Sequence, residues 1–463
     1  MEAVTDKVKT ESGRHLTSKF AIPLFVSTFI VLGLAADKTA LWPAVENSAA
    51  KDSVVQPASC RLVLAPLRGD KRIDREIAQQ QAMVVRDQAS VTALQRLGWT
   101  FVRKARLSFD AGFYNLAEQC AACLEAHGSK GPDTLLLRAH ALQSLHRFGE
   151  AEAVARELVK LRERPFDYGV LGDILIDQGK VREGAAAYQK MVDLRPDLQS
   201  YARAAHVRWL TGDLNGALQL MKLATGIPND SEAAAWAFTR LALYQLQTGD
   251  PKRALESCDA ARKLQNDYAP AMLARGRTLL AVNRPTDALV EFRQAAKLNP
   301  LPEYQWALAD ALTLTGNHDQ AAEVESQITR STEDPRTLSL YLATRHQDLE
   351  RAVQLAEQEL INRGDVLTHD ALAWALAAAG RITEAQKHVD RALRERTADP
   401  RLYFHAGVIA ALNNDNRQAK RWLDQAAATQ QMLLPSERVQ LEEWRRRVSP
   451  QRSRIAPPAP AMH

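Results

Sequence analysis

From Ala93 onward the apolar positions recur in paired stretches with helical spacing, each pair split by a polar turn. LGDILIDQGKVREGAAAY (Leu171 to Tyr188), RGRTLLAVNRPTDALVEF (Arg275 to Phe292) and LADALTLTGNHDQAAEV (Leu308 to Val324) share one layout. A small residue sits in the first helix, a Gly or polar turn follows seven residues later, and a second small residue comes twelve after the first. The first position is filled in turn by Ala105, Ala139, Gly172, Ala205, Ala242, Gly276, Ala309, Leu340, Ala373 and Gly407. Their steps are 34, 33, 33, 37, 34, 33, 31, 33 and 34 residues, a period that predicts an array of about ten repeated helix pairs.

The physics of each unit follows from this layout. Two antiparallel helices approach closely only where the facing residues are small, which accounts for Ala or Gly on both. Gly112, Gly179, Gly212, Gly249, Gly316 and Gly380 are expected to supply the turns, where the backbone takes unusual angles. Tyr188, Met221 and Phe292, four positions after the second small residue, are expected to pack on the following unit. Pro196 and Pro300 stand just past second helices, where a helix stops.

This spacing resembles the tetratricopeptide repeat. Leu171, Gly172, Leu175, Gly179, Gly184, Tyr188 and Pro196 occupy the family's consensus places, as do Gly276, Leu279, Ala288, Phe292, Ala295 and Pro300 in the unit from Ala269. The resemblance runs from about Ala93 to Gln430 and departs at the short unit around Leu340 and at the 37-residue step over TGIPNDSE, Thr225 to Glu232. It implies an all-α, right-handed superhelical solenoid whose first helices line a concave groove for a protein or peptide partner. On that reading His140, Asp173, His206, Arg277, Asp310, Tyr341 and Trp374 point inward, one residue after the small position, and Trp209, Trp306, Asp370 and Phe404 share their face. Aromatic rings beside carboxylates suit an extended peptide; alternatively the rings fill the narrow inside of the superhelix. Family members that grip C-terminal carboxylates use Lys, Asn and Arg at fixed inner places. Here only Arg203 and Arg240 match, so that function is not carried over.

The N-terminus adds a second theme. Phe20 to Ala36 is a 17-residue apolar run without charge, preceded by Lys7, Lys9, Arg14 and Lys19. It is expected to be a transmembrane or signal-anchor helix (20–36) after a cytoplasmic segment (1–19), with the bulk of the chain extracytoplasmic. Cleavage after Ala35–Ala36 would instead make the chain secreted. A linker (37–90), in which Arg68 to Gln88 reads as a charged helix, leads to the repeat array (91–433). LPSERVQLEEWRRRV reads as a final capping helix (434–448), and a Pro-rich disordered tail (449–463) follows.

Composition narrows the function. The net charge of +5 comes from 60 basic and 55 acidic residues and does not point to nucleic acid. No phosphate loop, nucleophile elbow, zinc-protease or dinucleotide motif is present, so the chain is read as non-enzymatic and without cofactor, either a scaffold or the recognition subunit of an enzyme complex.

One stretch raises chemistry. In QCAACLEAH, Gln119 to His127, the residues Cys120, Cys123 and His127 fall within about 60° on one helix face. They form either a thiol-redox pair or a metal site, or two small packing residues. A metal would need a fourth ligand, and Cys60 in the linker and Cys258 four repeats on are not obvious ones. Covalent haem would need His where Leu124 stands, and a thioredoxin-like pair belongs at a helix N-terminus, whereas this pair sits mid-helix. The expectation is packing.

Overall fold

The computed structural model describes residues 57–87, 90–108, 110–331 and 334–449. The expected anchor at 20–36, the segment before it and the tail beyond Ser449 lie outside the described residues. Among the described residues no helix is long and apolar enough to cross a membrane.

Among the described residues every element is helical. Two leading helices lie within the expected linker: α1 (Ala58–Val63), which the sequence does not signal, and α2 (Arg72–Arg86), which falls inside the charged helix read at Arg68 to Gln88. They fold because α2 carries Ile73, Ile77 and Val84 on one face, all buried against the start of the array. Ten pairs follow: α3 (Val91–Ser108) with α4 (Gly112–Ala126), α5 (Pro132–Ser144) with α6 (Phe148–Leu161), α7 (Pro165–Asp177) with α8 (Val181–Leu194), and α9 (Leu198–Leu210) with α10 (Leu214–Thr225). Next are α11 (Ser231–Gln247) with α12 (Pro251–Leu264), α13 (Ala269–Ala281) with α14 (Pro285–Leu298), and α15 (Pro302–Leu314) with α16 (His318–Thr329). The last three are α17 (Pro335–Thr344) with α18 (Leu349–Asn362), α19 (Val366–Ala378) with α20 (Ile382–Leu393), and α21 (Pro400–Leu412) with α22 (Asn416–Ala428). A 3-10 turn (Gln430–Met432) leads to α23 (Pro435–Val448). Many starts carry Pro in the first turn or an Asp whose carboxylate accepts a first-turn N–H, as Asp230 does from Ala233 and Asp365 from Thr368.

The small residues do what the spacing predicts. Ala117, Ala139, Ala151, Ala205 and Ala217 are fully buried, and a Cβ at Gly172 would lie 2.3 Å from the Tyr188 ring. Tyr188 and Phe292 therefore fill the gap left by Gly172 and Gly276 of their own unit, rather than serving only the next one. The side chain on the second helix leans back across the pair, into the space the missing methyl leaves. Gly179, Gly212, Gly249, Gly316 and Gly380 hold positive φ at the turns, and His146, Asn283, His346 and Asn414 take the same conformation in units without a glycine. Gly112 does not; it opens α4.

The first helices of successive units pack on one another and form the inner row, with the second helices outside. The array then curls until its later units meet the turns of its earlier ones. Thr397 Oγ1 donates to the Leu210 carbonyl (2.8 Å) and Ala398 N to the Trp209 carbonyl (3.2 Å). Gln431 Nε2 donates to the Leu246 and Gln247 carbonyls, both at 3.1 Å. Arg363 lies 3.8 Å from Asp177, and its guanidinium sits over the Phe148 ring. Gly179 and Gly212 permit this approach: a Cβ there would lie 2.2 Å from the Gly364 carbonyl oxygen and 2.7 Å from that of Arg396.

Candidate functional site

Ten of the eleven inner-face candidates are buried, and Arg277, paired with Glu303 at 3.0 Å, is partly exposed. Burial alone therefore cannot single out a site among them, and their partners must decide. In the early units the partners come from the repeats. Asp173 accepts from Tyr188 Oη (2.7 Å), Arg203 Nε (2.8 Å) and Arg203 Nη2 (2.6 Å), a saturated carboxylate that ties α7, α8 and α9 together. Arg203, a conceivable carboxylate grip from the sequence, is thus consumed by the fold. His140 stands 3.1 Å from Arg106 with its ring tilted on Trp99. Burial, with Arg106 and Arg203 nearby, holds its imidazole neutral, well below the usual histidine range. His206 stacks on Trp209 and is pushed down to about 3 by burial and Arg240, against the pull of Asp365. Trp209 donates to Gln247 Oε1 at 3.2 Å.

In the late units the partners come from the chain's own end. Helix α23 does not merely close the last unit; it turns onto the inner row and contacts α15 and α21. Asp310 on α15 accepts from the backbone N–H (2.9 Å) and hydroxyl (2.6 Å) of Ser436, while its other oxygen accepts from Arg345 (2.8 Å). Arg401 on α21 grips the fully buried Glu437 through Nε (2.5 Å) and Nη2 (3.1 Å). Gln440 Nε2 donates to the Thr344 carbonyl at 2.8 Å. Glu437 also caps its own helix, accepting from Leu434 N at 2.8 Å. Burial raises Asp310 to about 6, opposed by Arg345 and Ser436, whereas Arg401 holds Glu437 below the usual carboxylate range despite its burial.

Around these contacts lie the aromatic candidates. Trp306 meets Tyr341 edge-on at 5.5 Å and carries the Arg401 guanidinium over its ring. Trp374 donates to Thr344 Oγ1 (3.0 Å) and stacks on His405 at 4.2 Å. His405 Nδ1 meets both oxygens of Asp370 at 2.9 and 3.0 Å, and Phe404 is fully buried beside them. The rings thus pack on one another and on arginine rather than forming an open wall. Arg401, Ser436, Glu437 and Gln440 were not foreseen in this role. The Ser-Glu signal at the start of LPSERVQ marked a helix start, but no pattern within a unit says which inner helix it meets.

The cysteine stretch resolves differently from its sequence reading. The trio that forms is Cys60, Cys123 and His127, because α1 packs on α4 and brings Cys60 to Cys123 as a disulfide with a Cα–Cα distance of 5.0 Å. Cys120 points into the core instead, fully buried, as does Cys258. Burial pushes the Cys120 thiol far above its ordinary range, so it stays protonated. Cys120 and Cys123 were expected on one side of α4, but three residues of helical rotation separate a core-facing from an α1-facing position.

Antiparallel helix pairs stacked at this near-constant step, closed by small residues at matched places, define a helical-repeat solenoid. Residues 273–335 match the tetratricopeptide repeat profile, and the helix pairs on either side of that stretch repeat the same architecture. A search of curated proteins finds no match. Among solved structures it is similar to a human IFIT1 dimer with PPP-AAAA (15% identity, TM-score 0.45, covering 76% of this chain and 86% of that one). It is also similar to the APC/C hetero-tetramer Cut9-Hcn1 (14%, TM-score 0.34, 85% and 98%). A third is YrrB, a TPR protein with an unusual peptide-binding site (17%, TM-score 0.29, 38% and 91%).

Proposed function

We propose that this chain is a non-enzymatic scaffold that takes a protein partner on the inner face of α15–α21, with residues 20–36 anchoring it at a membrane and the array on the extracytoplasmic side. One observation carries the reading: α23 lies on that face as a helix, fastened at its first turn by Asp310 and Arg401. A surface that accepts one amphipathic helix by an acceptor for its N-terminal N–H and a cation for its first-turn carboxylate will accept another built likewise. α23 is then the resident occupant, and a partner helix that begins with a hydroxyl residue and an acid competes with it. The buried candidates Trp306, Tyr341 and Trp374 form the floor of this surface and give it shape.

The test uses a chain truncated after Leu433 and a labelled peptide spanning residues 434–449. Fluorescence anisotropy should show saturable binding to the truncated chain, lost in Asp310→Ala and Arg401→Ala. Full-length chain should bind the peptide far more weakly, because its own helix occupies the face. Absence of binding to a truncated chain that retains its helical circular dichroism would overturn the reading.

A further inference from the structure

The Cys60, Cys123 and His127 cluster lies away from the inner face, its two sulfurs at the edge of the core that α1 shares with the first helix pair and its imidazole exposed. It sits on the outside of the first unit, where the disulfide joins α1 to the last turn of α4. Three facts give it the character of a ligand site. Cys60 Sγ, Cys123 Sγ and a ring nitrogen of His127 all lie within 4.8 Å of one another. Cys123 and His127 are four residues apart, a spacing that places two ligands on one helix face in helical zinc motifs. His127 is also the C-cap of α4, its position fixed by its N–H on the Cys123 carbonyl and by the left-handed Gly128 that follows.

One distance already fits a particular chemistry, while the two sulfurs, bonded to each other here, reach the roughly 3.8 Å that two zinc–sulfur bonds need only once the bridge opens. Zinc–sulfur and zinc–nitrogen bonds of about 2.3 and 2.05 Å at a tetrahedral angle set sulfur and nitrogen about 3.6 Å apart. Cys60 Sγ and His127 Nε2 are 3.6 Å apart. Both sulfurs are buried, whereas His127 is exposed, so three protein ligands leave the fourth position facing solvent. No carboxylate is needed, and two thiolates with one imidazole select a thiophilic ion over calcium or magnesium.

We propose that Cys60, Cys123 and His127 form a redox-gated site for zinc or an ion of the same class, closed when the disulfide forms. A dithiol reductant opens the bridge: it delivers two electrons and two protons, its own sulfurs end as a disulfide, and Cys60 and Cys123 become thiols. The ion then displaces both thiol protons, His127 Nε2 contributes a neutral lone pair, and water fills the fourth position. Oxidation by a disulfide donor runs the sequence backwards, expelling the ion as Cys60 and Cys123 rejoin. Metal and disulfide are alternative ties between the same two helices, so the staple on α1 persists in both states while the occupant reports the redox poise.

The test is cobalt titration of the full chain, first oxidised and then reduced with a water-soluble phosphine, with a thiol count confirming two additional free thiols. The reduced chain should take up one cobalt ion per molecule with a thiolate-to-metal charge-transfer band and tetrahedral visible bands, all displaced by zinc. Two protons should be released per ion. Cys60→Ser and Cys123→Ser should abolish the two-thiolate spectrum. Loss of a ligand weakens metal sites at least as much as loss of an outer partner, so His127→Ala should reduce affinity tenfold to a hundredfold or more, about that scale. Cys120→Ser should leave cobalt uptake and its spectrum unchanged, because its thiol faces the core. The proposal fails if the reduced chain shows no charge-transfer band, if the bridge resists the phosphine in the folded chain, or if His127→Ala binds as tightly as the parent.

Discussion

The early and late halves of the inner row are both closed, but by different means. In α7–α9 the buried carboxylate Asp173 is satisfied by Tyr188 and Arg203, two side chains held rigidly within the repeat stack. Over α15–α21 the buried carboxylate Glu437 belongs to α23, a terminal helix joined to the array by the chain at one end only. An ion pair between two fixed elements cannot separate without strain, whereas one between a fixed element and a terminal helix parts when that helix lifts. On the function proposed above, the same arginine–carboxylate chemistry serves permanence in the first half of the array and exchange in the second.

The sharpest way to break this comparison is to remove the arginine from each pair. Arg203→Ala strands Asp173 in the core and should cost about 3–5 kcal/mol in denaturant unfolding. Arg401→Ala should cost less, roughly 1.5–3 kcal/mol, the worth of hydrogen bonds to a charged group, because α23 carries Glu437 out to water. It should also open residues 430–449 to limited proteolysis, which Arg203→Ala should not do selectively. Equal stability losses with no new cleavage would erase the distinction.

A second comparison concerns the contact between early turns and later units. Gly179 and Gly380 occupy the same place in their repeats, at φ +75° and +77°. Alanine at either meets the left-handed penalty of about 1–2 kcal/mol. At Gly380 nothing lies within 4 Å of the added methyl, but at Gly179 it would meet the Gly364 carbonyl oxygen at 2.2 Å. Gly179→Ala should therefore lose roughly 1–3 kcal/mol more than Gly380→Ala, read from their urea midpoints. Equal losses would mean that the layers do not hold each other in solution.

The last comparison is a pH dependence at the same contact. Asp177 is raised to about 7 by burial, with Arg363 opposing. Its folded pKa lies above the unfolded value of 3.8, so the native state binds the proton more tightly there. The stabilisation it brings is complete below about 4 and is lost as pH rises to about 7. Asp177→Asn should flatten stability across that window, measured by chemical denaturation at its two ends. An unchanged slope would place the titration elsewhere.

Much of the fold was legible before any coordinates. The small residues from Ala105 to Ala419 recur at a near-constant step because each unit needs the same close approach, and local packing repeats wherever local sequence repeats. The left-handed turns were partly legible: five of the six glycines marked them, whereas His146, Asn283, His346 and Asn414 adopt the same angle with no distinctive signal. The site was far less legible. Its aromatic and acidic residues were found by register, but the register does not say whether a side chain ends against solvent, a neighbouring repeat or α23.

The sequence by itself determined the unit: two helices, a tight turn, small residues at the crossing and the step to the next pair. Those features depend on residues within a single unit or its neighbour. Only the tertiary structure decided that α23 turns inward, that Cys60 rather than Cys120 meets Cys123 across 63 residues, and that Gln431 reaches Leu246 across 185. Such contacts depend on the rotation each unit adds to the last. A small angle accumulated over several repeats decides which distant residues meet, and no pattern within one unit encodes that sum.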